Sequence, residues 1–133
     1  MKWANYHQAD TQRNALLQAV LVGVVTSEVE IASANGTFGW CFDKALSPGS
    51  GIGGDPHWEI GHADVPDGPG TFELYASPEY YSIDPDTGIY SVKEVFDTVT
   101  ALLVAYGVAY PKEKAVTEQV LERLPVYRAK FKI

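Results

Sequence analysis

Three glycines in this sequence have the spacing of a nucleotide-binding loop. Gly49, Gly51 and Gly54 form a GxGxxG pattern, which in dinucleotide sites follows a strand directly and opens a helix whose N-terminus faces the pyrophosphate. Here the glycines lie in the Gly- and Pro-rich segment 43–56, and a strand pattern follows them instead of a helix. Ser50 lies directly between two of the glycines, which is not the spacing of a nucleophile elbow. We therefore expect segment 43–56 to be a loop without catalytic function.

Cys41 is the only cysteine in the chain. It excludes an intrachain disulfide and a Cys-rich zinc site, but it can form a nucleophilic pair with His57 or His62 if the fold brings them together. Cys41 belongs to the aromatic-rich segment 37–42, where a free cysteine usually behaves as a small buried hydrophobic residue. A small enzyme that uses Cys41 with a histidine therefore stays open as an alternative function.

The spacing of the other metal-binding residue types argues against a metal site. His57 and His62 are five residues apart in a strand pattern, so their side chains point to opposite faces. Asp84 and Asp86 resemble the start of a calcium loop, but the later positions that require Gly and Glu hold other residues. The sequence predicts no metal and no cofactor.

The acidic residues are concentrated in the middle of the chain. The net charge is −7, and the segment from Asp43 to Asp97 contains eleven acidic residues and two basic ones. An acidic chain is repelled by phosphate backbones, so we expect no direct nucleic-acid binding, whereas a basic protein partner is favoured. Large aromatic residues alternate with the acids, and Tyr and Trp are common at the energetic centres of interfaces. The predicted partner-binding residues, with Trp58 and Tyr90 as anchors, are Asp55, Trp58, Glu59, Asp64, Asp67, Tyr80, Tyr81, Asp84, Asp86 and Tyr90.

Hydrophobic periodicity predicts the elements that position these residues. The chain order is α-β-β-β-β-α-α-β, with a capping box formed by Ser91 and Glu94 at the start of the best-defined helix. The expected hairpins indicate a mostly antiparallel sheet of about five strands with helices on one face, a two-layer α+β domain. The predicted elements are a helix from Asp10 to about Gly23, strands at 28–32, 37–42, 57–62 and 71–75, a hairpin turn at Asn35–Gly36, helices at 91–107 and 112–124, and a strand at 126–133.

Length and hydropathy predict a single cytoplasmic domain. A chain of 133 residues is long enough to bury one core. The apolar stretch from Ala15 to Val25 is about half as long as a bilayer crossing requires, and the N-terminal residues lack the pattern of a secretory signal. We therefore expect residues 1–133 to form one globular domain that does not interact with membranes.

The stretch from Glu73 to Gly107, ELYASPEYYSIDPDTGIYSVKEVFDTVTALLVAYG, resembles the immunity proteins of bacterial polymorphic-toxin and contact-dependent growth inhibition systems. The resemblance covers about a third of the chain, in which a strand leads through tyrosines to a capped helix. It implies that the protein binds one cognate toxin, typically a nuclease with a basic active site, and blocks it without catalysis or cofactor. A phage-type inhibitor that mimics DNA for a defence enzyme is a further alternative, which predicts continuous rows of acids at phosphate-like spacing.

Overall fold

A four-stranded antiparallel sheet with helices on one face forms the fold. The computed structural model describes residues 3–4, 11–54, 57–84 and 86–132. The helices are α1 (Gln12–Asn35), α2 (Phe42–Ala45), α3 (Pro78–Tyr81), α4 (Val92–Ala109) and α5 (Lys114–Arg128), and the strands are β1 (Gly51–Gly54), β2 (Trp58–Val65), β3 (Gly68–Ala76) and β4 (Thr87–Ser91). The strands pair in the order β1-β2-β3-β4. The α+β class and the antiparallel sheet are confirmed, with four strands in the described residues instead of about five.

Helix α1 is much longer than predicted. It begins after Thr11, whose hydroxyl accepts a hydrogen bond from the Asn14 N–H at 3.1 Å; the predicted cap, Asp10, lies outside the described residues. The predicted end near Gly23 is wrong, because α1 continues through this residue; the glycine is explained instead by the Trp58 indole, which occupies the space that a Cβ would fill there. The predicted strand at 28–32 is also wrong, since the helix continues through it with a face buried at helical spacing. That face consists of Val24, Val25, Glu28, Val29 and Ala32.

The predicted hairpin at Asn35–Gly36 is the end of α1. Gly36 has φ 73°, and its N–H bonds the Ala32 carbonyl, so it forms a left-handed helix cap. The same tolerance of positive φ that favours a hairpin turn is used here to stop a helix. The predicted strand at 37–42 is therefore a loop that leads into α2.

Buried Glu28 holds this loop against α1. Its carboxylate accepts hydrogen bonds from the backbone N–H groups of Gly39 at 2.5 Å and of Cys41 and Phe42 at 3.0 Å each. These N–H groups lie in a buried segment where no strand supplies acceptors, and a carboxylate can satisfy several donors at once. Glu28 is 1% exposed. Its carboxylate is the hydrogen-bond acceptor for backbone N–H groups that a neighbouring strand would otherwise have to bind.

Helix α1 is the central helix of the core. It packs against the sheet, α2, α4 and α5, and its buried residues point in all directions around the helix axis. By length and composition α1 is the one helix of the described residues that could cross a membrane. In this fold most of its apolar residues are covered by other elements of the chain.

Strands β2 and β3 correspond to the predicted strands at 57–62 and 71–75, and they form the centre of the sheet. Trp58, Ile60 and His62 face the helices together with Phe72 and Leu74, and Ile60 is paired with Leu74 and His62 with Phe72. Strand β1 was not predicted, because its sequence GIGG has no side-chain alternation. Strand β4, in the tyrosine-rich segment, was not predicted either, since it has only five residues and includes Gly88.

The C-terminal helices are partly as predicted. The Ser91–Glu94 capping box is present, with both hydrogen bonds at 3.0 Å, and the predicted apolar stripe of α4 is buried. Helix α5 continues through Pro125 to Arg128, so the predicted strand at 126–133 is wrong. Pro125 has no N–H, so the Leu121 carbonyl lacks its helical hydrogen-bond donor. Leu121 is only partly buried.

Candidate partner-binding face

The side of the sheet that points away from the helices is uncovered. Residues of each strand alternate between the core and this side, as a pleated sheet requires, and those that point away from the helices are exposed or half-exposed. We call this surface the outer face. It consists of Gly51, Gly53, Glu59, Gly61, Ala63, Thr71, Glu73, Tyr75, Thr87 and Ile89.

Two carboxylates lie at the centre of the outer face. Glu59 on β2 is paired with Tyr75 on β3, and Glu73, two residues before Tyr75, is paired with Gly61. A diagonal pair of this kind in antiparallel strands is separated by about 7–8 Å. The outer face as defined above contains no basic residue, so its electrostatic potential is negative and favours a cation.

Glu59 and Glu73 differ from the acids that stabilise the fold. Glu94 forms an ion pair with Arg13, and Asp97 forms one with Lys93. Within the described residues, neither outer-face carboxylate has a hydrogen-bond or ion-pair partner. Their charges are therefore available to a molecule that binds from outside.

Glycines make the outer face concave. Gly51, Gly53 and Gly61 place backbone where side chains would otherwise project, and the resulting open depression has a volume of about 600 Å³. A second depression of about 500 Å³ borders it and shares Glu59 and Tyr75. Concave surfaces with a few polar groups at fixed positions are typical of binding sites.

His57 and Tyr80 form an aromatic wall beside the second depression. The His57 ring lines the depression and stacks on Tyr80 with ring centroids 5.0 Å apart and an interplanar angle of 24°. His57 has φ 47°, a left-handed conformation that costs a non-glycine residue energy. We call His57, Glu59, Tyr75 and Tyr80 the aromatic end of the outer face; the first three line the depression, and Tyr80 stacks on His57.

The structure divides the predicted acidic residues between two ends of the sheet. Asp86 directly precedes β4, so it lies beside the aromatic end; exposed Asp84 belongs to the same β3–β4 connection. Asp64 and Asp67 are exposed at the β2–β3 hairpin, where Asp64 lies beside Gly49. The six residue steps from Glu59 to Val65 along β2 separate the two ends by about 20 Å. Asp55 lies outside the described residues.

Three of the predicted partner-binding residues are buried: Trp58, Tyr81 and Tyr90. All three rings are core residues, with Trp58 2%, Tyr81 7% and Tyr90 1% exposed. The Tyr90 hydroxyl donates to the Arg13 carbonyl at 2.7 Å, and the guanidinium of Arg13 lies 4.3 Å from the centre of the ring. Their aromatic surface stabilises the contact between sheet and helices and cannot contact a partner in this fold. Tyr80, 52% exposed, is the aromatic residue of the set that a partner can contact.

Glu73, Tyr75 and His57 were not among the predicted contact residues. The alternation of β3 could have identified the first two, because Phe72 and Leu74 on the core side place Glu73 and Tyr75 on the opposite side. Nothing in the sequence pattern indicated that His57 adopts a left-handed conformation and stacks on Tyr80.

Cys41 and His62, which were considered for nucleophilic or metal chemistry, have structural roles. Cys41 is fully buried, and desolvation together with the nearby Glu28 charge raises the pKa of its thiol to about 12. His62 is also buried; its Nδ1 accepts from the Gly49 N–H at 3.0 Å, and its Nε2 bonds the Pro69 carbonyl at 2.7 Å. The described residues contain no cluster of three or more His, Cys, Asp or Glu that could hold a metal ion.

Comparison of the chain with family models, curated proteins and solved structures finds no match. The fold class is therefore defined by the strand order and helix packing described above.

Proposed function

We propose that this protein is an immunity-type inhibitor that acts in the cytoplasm. It binds a basic cognate toxin domain through the outer face and blocks that domain without catalysis or cofactor. The observation that supports this proposal best is the pair of unpartnered carboxylates, Glu59 and Glu73, on an uncovered sheet surface. Uniform negative potential on a preformed surface attracts a basic partner and speeds its association.

The aromatic end offers a specific contact for the partner. A lysine or arginine side chain that enters the 500 Å³ depression meets the Glu59 carboxylate beside the rings of Tyr75 and His57. The carboxylate supplies charge-assisted hydrogen bonds, and the Tyr75 ring supplies a cation–π contact. Because Glu59 and Tyr75 are on paired strands, they are held in place before binding, which lowers the entropic cost of association.

The two alternative functions have less support from the geometry. An enzyme based on Cys41 needs an accessible thiolate, whereas this thiol is buried and its pKa is raised. A DNA mimic needs rows of negative charge that follow a phosphate backbone. The outer face has one diagonal pair of carboxylates, and neighbouring positions are glycines, so the arrangement favours contact with individual cationic side chains.

Co-expression with a candidate toxin tests the proposal. The domain to use is a small basic C-terminal domain of an exported protein encoded beside this chain. Cells that produce it should die, and this protein should restore their growth. The variant Glu59→Gln/Glu73→Gln should lose the rescue because it removes both outer-face charges and keeps side-chain size. Isothermal titration calorimetry with the purified, inactivated domain should show one-to-one binding that the variant weakens at least about tenfold.

A matched variant controls for net charge. Glu30→Gln/Glu122→Gln removes two exposed carboxylates from α1 and α5, and it should rescue as well as the unmodified protein. If the two double variants rescue equally, the outer face is not the binding surface. If the unmodified protein neither binds nor rescues, the inhibitor function itself is wrong for that partner.

A further inference from the structure

Helix α4 has an exposed stripe without charge. From Thr98 to Ala109 the helix contains no charged residue, although part of its circumference is exposed to solvent. Val104 is 53% exposed and Val108 is 76% exposed. A helix at a protein surface normally presents charged and polar residues on its exposed side. This stripe therefore has the composition of a contact surface.

A groove runs beside the stripe, between α4 and α5. Its volume is about 440 Å³, and its surface is mainly apolar, formed by Val104, Val108 and Leu121. The two helices approach closely where Gly107 meets Thr117, because the Thr117 hydroxyl occupies the place of a Cβ on Gly107. At the rim, α5 contributes one base and one acid, Lys114 and Glu118.

We propose that a second copy of this chain docks in this groove, related to the first by a two-fold axis. The ridge formed by Val104 and Val108 lies directly beside the groove, so each copy can insert its ridge into the groove of the other. A two-fold contact requires such self-complementarity on one surface patch. With the axis perpendicular to α5 and passing midway between Lys114 and Glu118, the two α5 helices run antiparallel and Lys114 of each copy lies opposite Glu118 of the other.

The charges at the groove rim complement a second copy, because Lys114 of one copy and Glu118 of the other attract each other. The chain carries a net charge of −7, so two copies repel each other over most of their surface, and contact is easiest where the local charge is balanced. The groove provides one positive and one negative rim residue. A strongly basic partner is attracted to the outer face instead, and α4 and α5 are on the other side of the sheet. The proposed dimer therefore leaves the outer face free.

Sedimentation equilibrium of the full-length protein from micromolar to millimolar concentration tests the proposal. We expect a reversible dimer. Val104→Glu/Val108→Glu should weaken dimerisation more than about tenfold, because carboxylates would be buried in an apolar contact. Val126→Glu, which alters an equally exposed valine outside the groove, should leave it unchanged. Circular dichroism should show that the variants fold.

A charge exchange distinguishes a specific two-fold contact from non-specific association. Lys114→Glu and Glu118→Lys should each weaken the dimer, because each places like charges opposite one another, and the double variant should restore it. A protein that stays monomeric at all concentrations, or a dimer insensitive to the valine changes, would overturn the proposal. The proposal would also be overturned if the protein is monomeric and Val104→Glu/Val108→Glu no longer rescues toxin-producing cells, because the groove would then bind the toxin.

Discussion

Glu59 and Tyr75 are directly opposed on the two central strands, and both point away from the helices. This pair borders both depressions of the outer face. A carboxylate and a phenol ring in this arrangement can bind one cationic side chain together, since the ring attracts the cation through its face. The pair is consequently the centre of the proposed interface.

Charge reversal at this centre should change association kinetics. We expect Glu59→Lys/Glu73→Lys to lower the association rate constant for the basic partner at least about tenfold at low salt and to reduce its salt dependence. Stopped-flow fluorescence at several salt concentrations measures both effects. Asp64→Lys/Asp67→Lys makes the same charge change at the distant hairpin and should have a smaller effect. Equal effects would show that overall charge, and not the outer face, controls association.

Removal of the Glu28 charge should destabilise the fold. Glu28→Gln places an amide NH₂ where the carboxylate accepts hydrogen bonds, so at least one of the three backbone donors loses its acceptor. We expect a loss of about 2–3 kcal/mol in the free energy of unfolding, measured by urea denaturation. Glu30→Gln, at an exposed position of the same helix, should change stability by less than about 0.5 kcal/mol. Similar losses in both variants would contradict the structural role of Glu28.

The ion pair between Arg13 and Glu94 predicts a pH dependence of stability. The hydrogen bond from Arg13, together with those from Ser91, lowers the pKa of Glu94 from 4.5 to about 2. Because the pKa of Glu94 is lower in the folded state, the ionised carboxylate stabilises the fold at pH values above about 4.5. This contribution disappears as the pH falls from about 4.5 through about 2. Both side chains are more than a third exposed, so solvent screening limits the contribution to about 0.5–1 kcal/mol.

Glu94→Gln isolates that charge, because glutamine can still complete the capping box. The variant should unfold at a lower temperature than the unmodified protein near pH 7. The difference should shrink below pH 4.5 and vanish near pH 2, as calorimetry at several pH values can measure. A difference that is independent of pH would mean that the substitution acts through packing and not through charge.

The Cys41 thiol should be unreactive in the folded protein. With a pKa of about 12, roughly one thiol in ten thousand is ionised at pH 8, and the sulfur is also shielded from solvent. A thiol-specific reagent such as Ellman's reagent should therefore label Cys41 only as fast as the protein opens, and urea should accelerate the labelling. Rapid stoichiometric labelling below pH 8 would instead support the enzyme alternative.

The elements that the sequence predicted well are those whose signals are local. The capping box of Ser91 and Glu94 is complete within four residues, and the alternation around Ile60 and Leu74 is a property of each strand alone. The core sides of both strands were therefore predictable. The outer face follows from the same alternation, since Glu73 must point away if its neighbours point inward.

The predictions that were wrong concern segments whose structure depends on residues far away in the sequence. Gly23 lies inside a helix and makes room for Trp58, 35 positions later in the sequence, so it does not mark a helix end. The segment after Gly36 is a loop because Glu28 binds its N–H groups. The burial of Tyr90 likewise depends on Arg13. Local patterns contain no information about such contacts, which is why the predicted anchors Trp58 and Tyr90 are core residues in the structure.

The central position of α1 has a consequence for protein synthesis. The helix leaves the ribosome before α4, which covers it and ends at Ala109, 74 residues after Asn35. At about 5–20 residues per second, translation needs roughly 4–15 seconds to produce that cover. During this interval the apolar 24-residue segment of α1 lacks the cover that α4 and α5 supply in the folded protein. The core around α1 can therefore close only after most of the chain has been made.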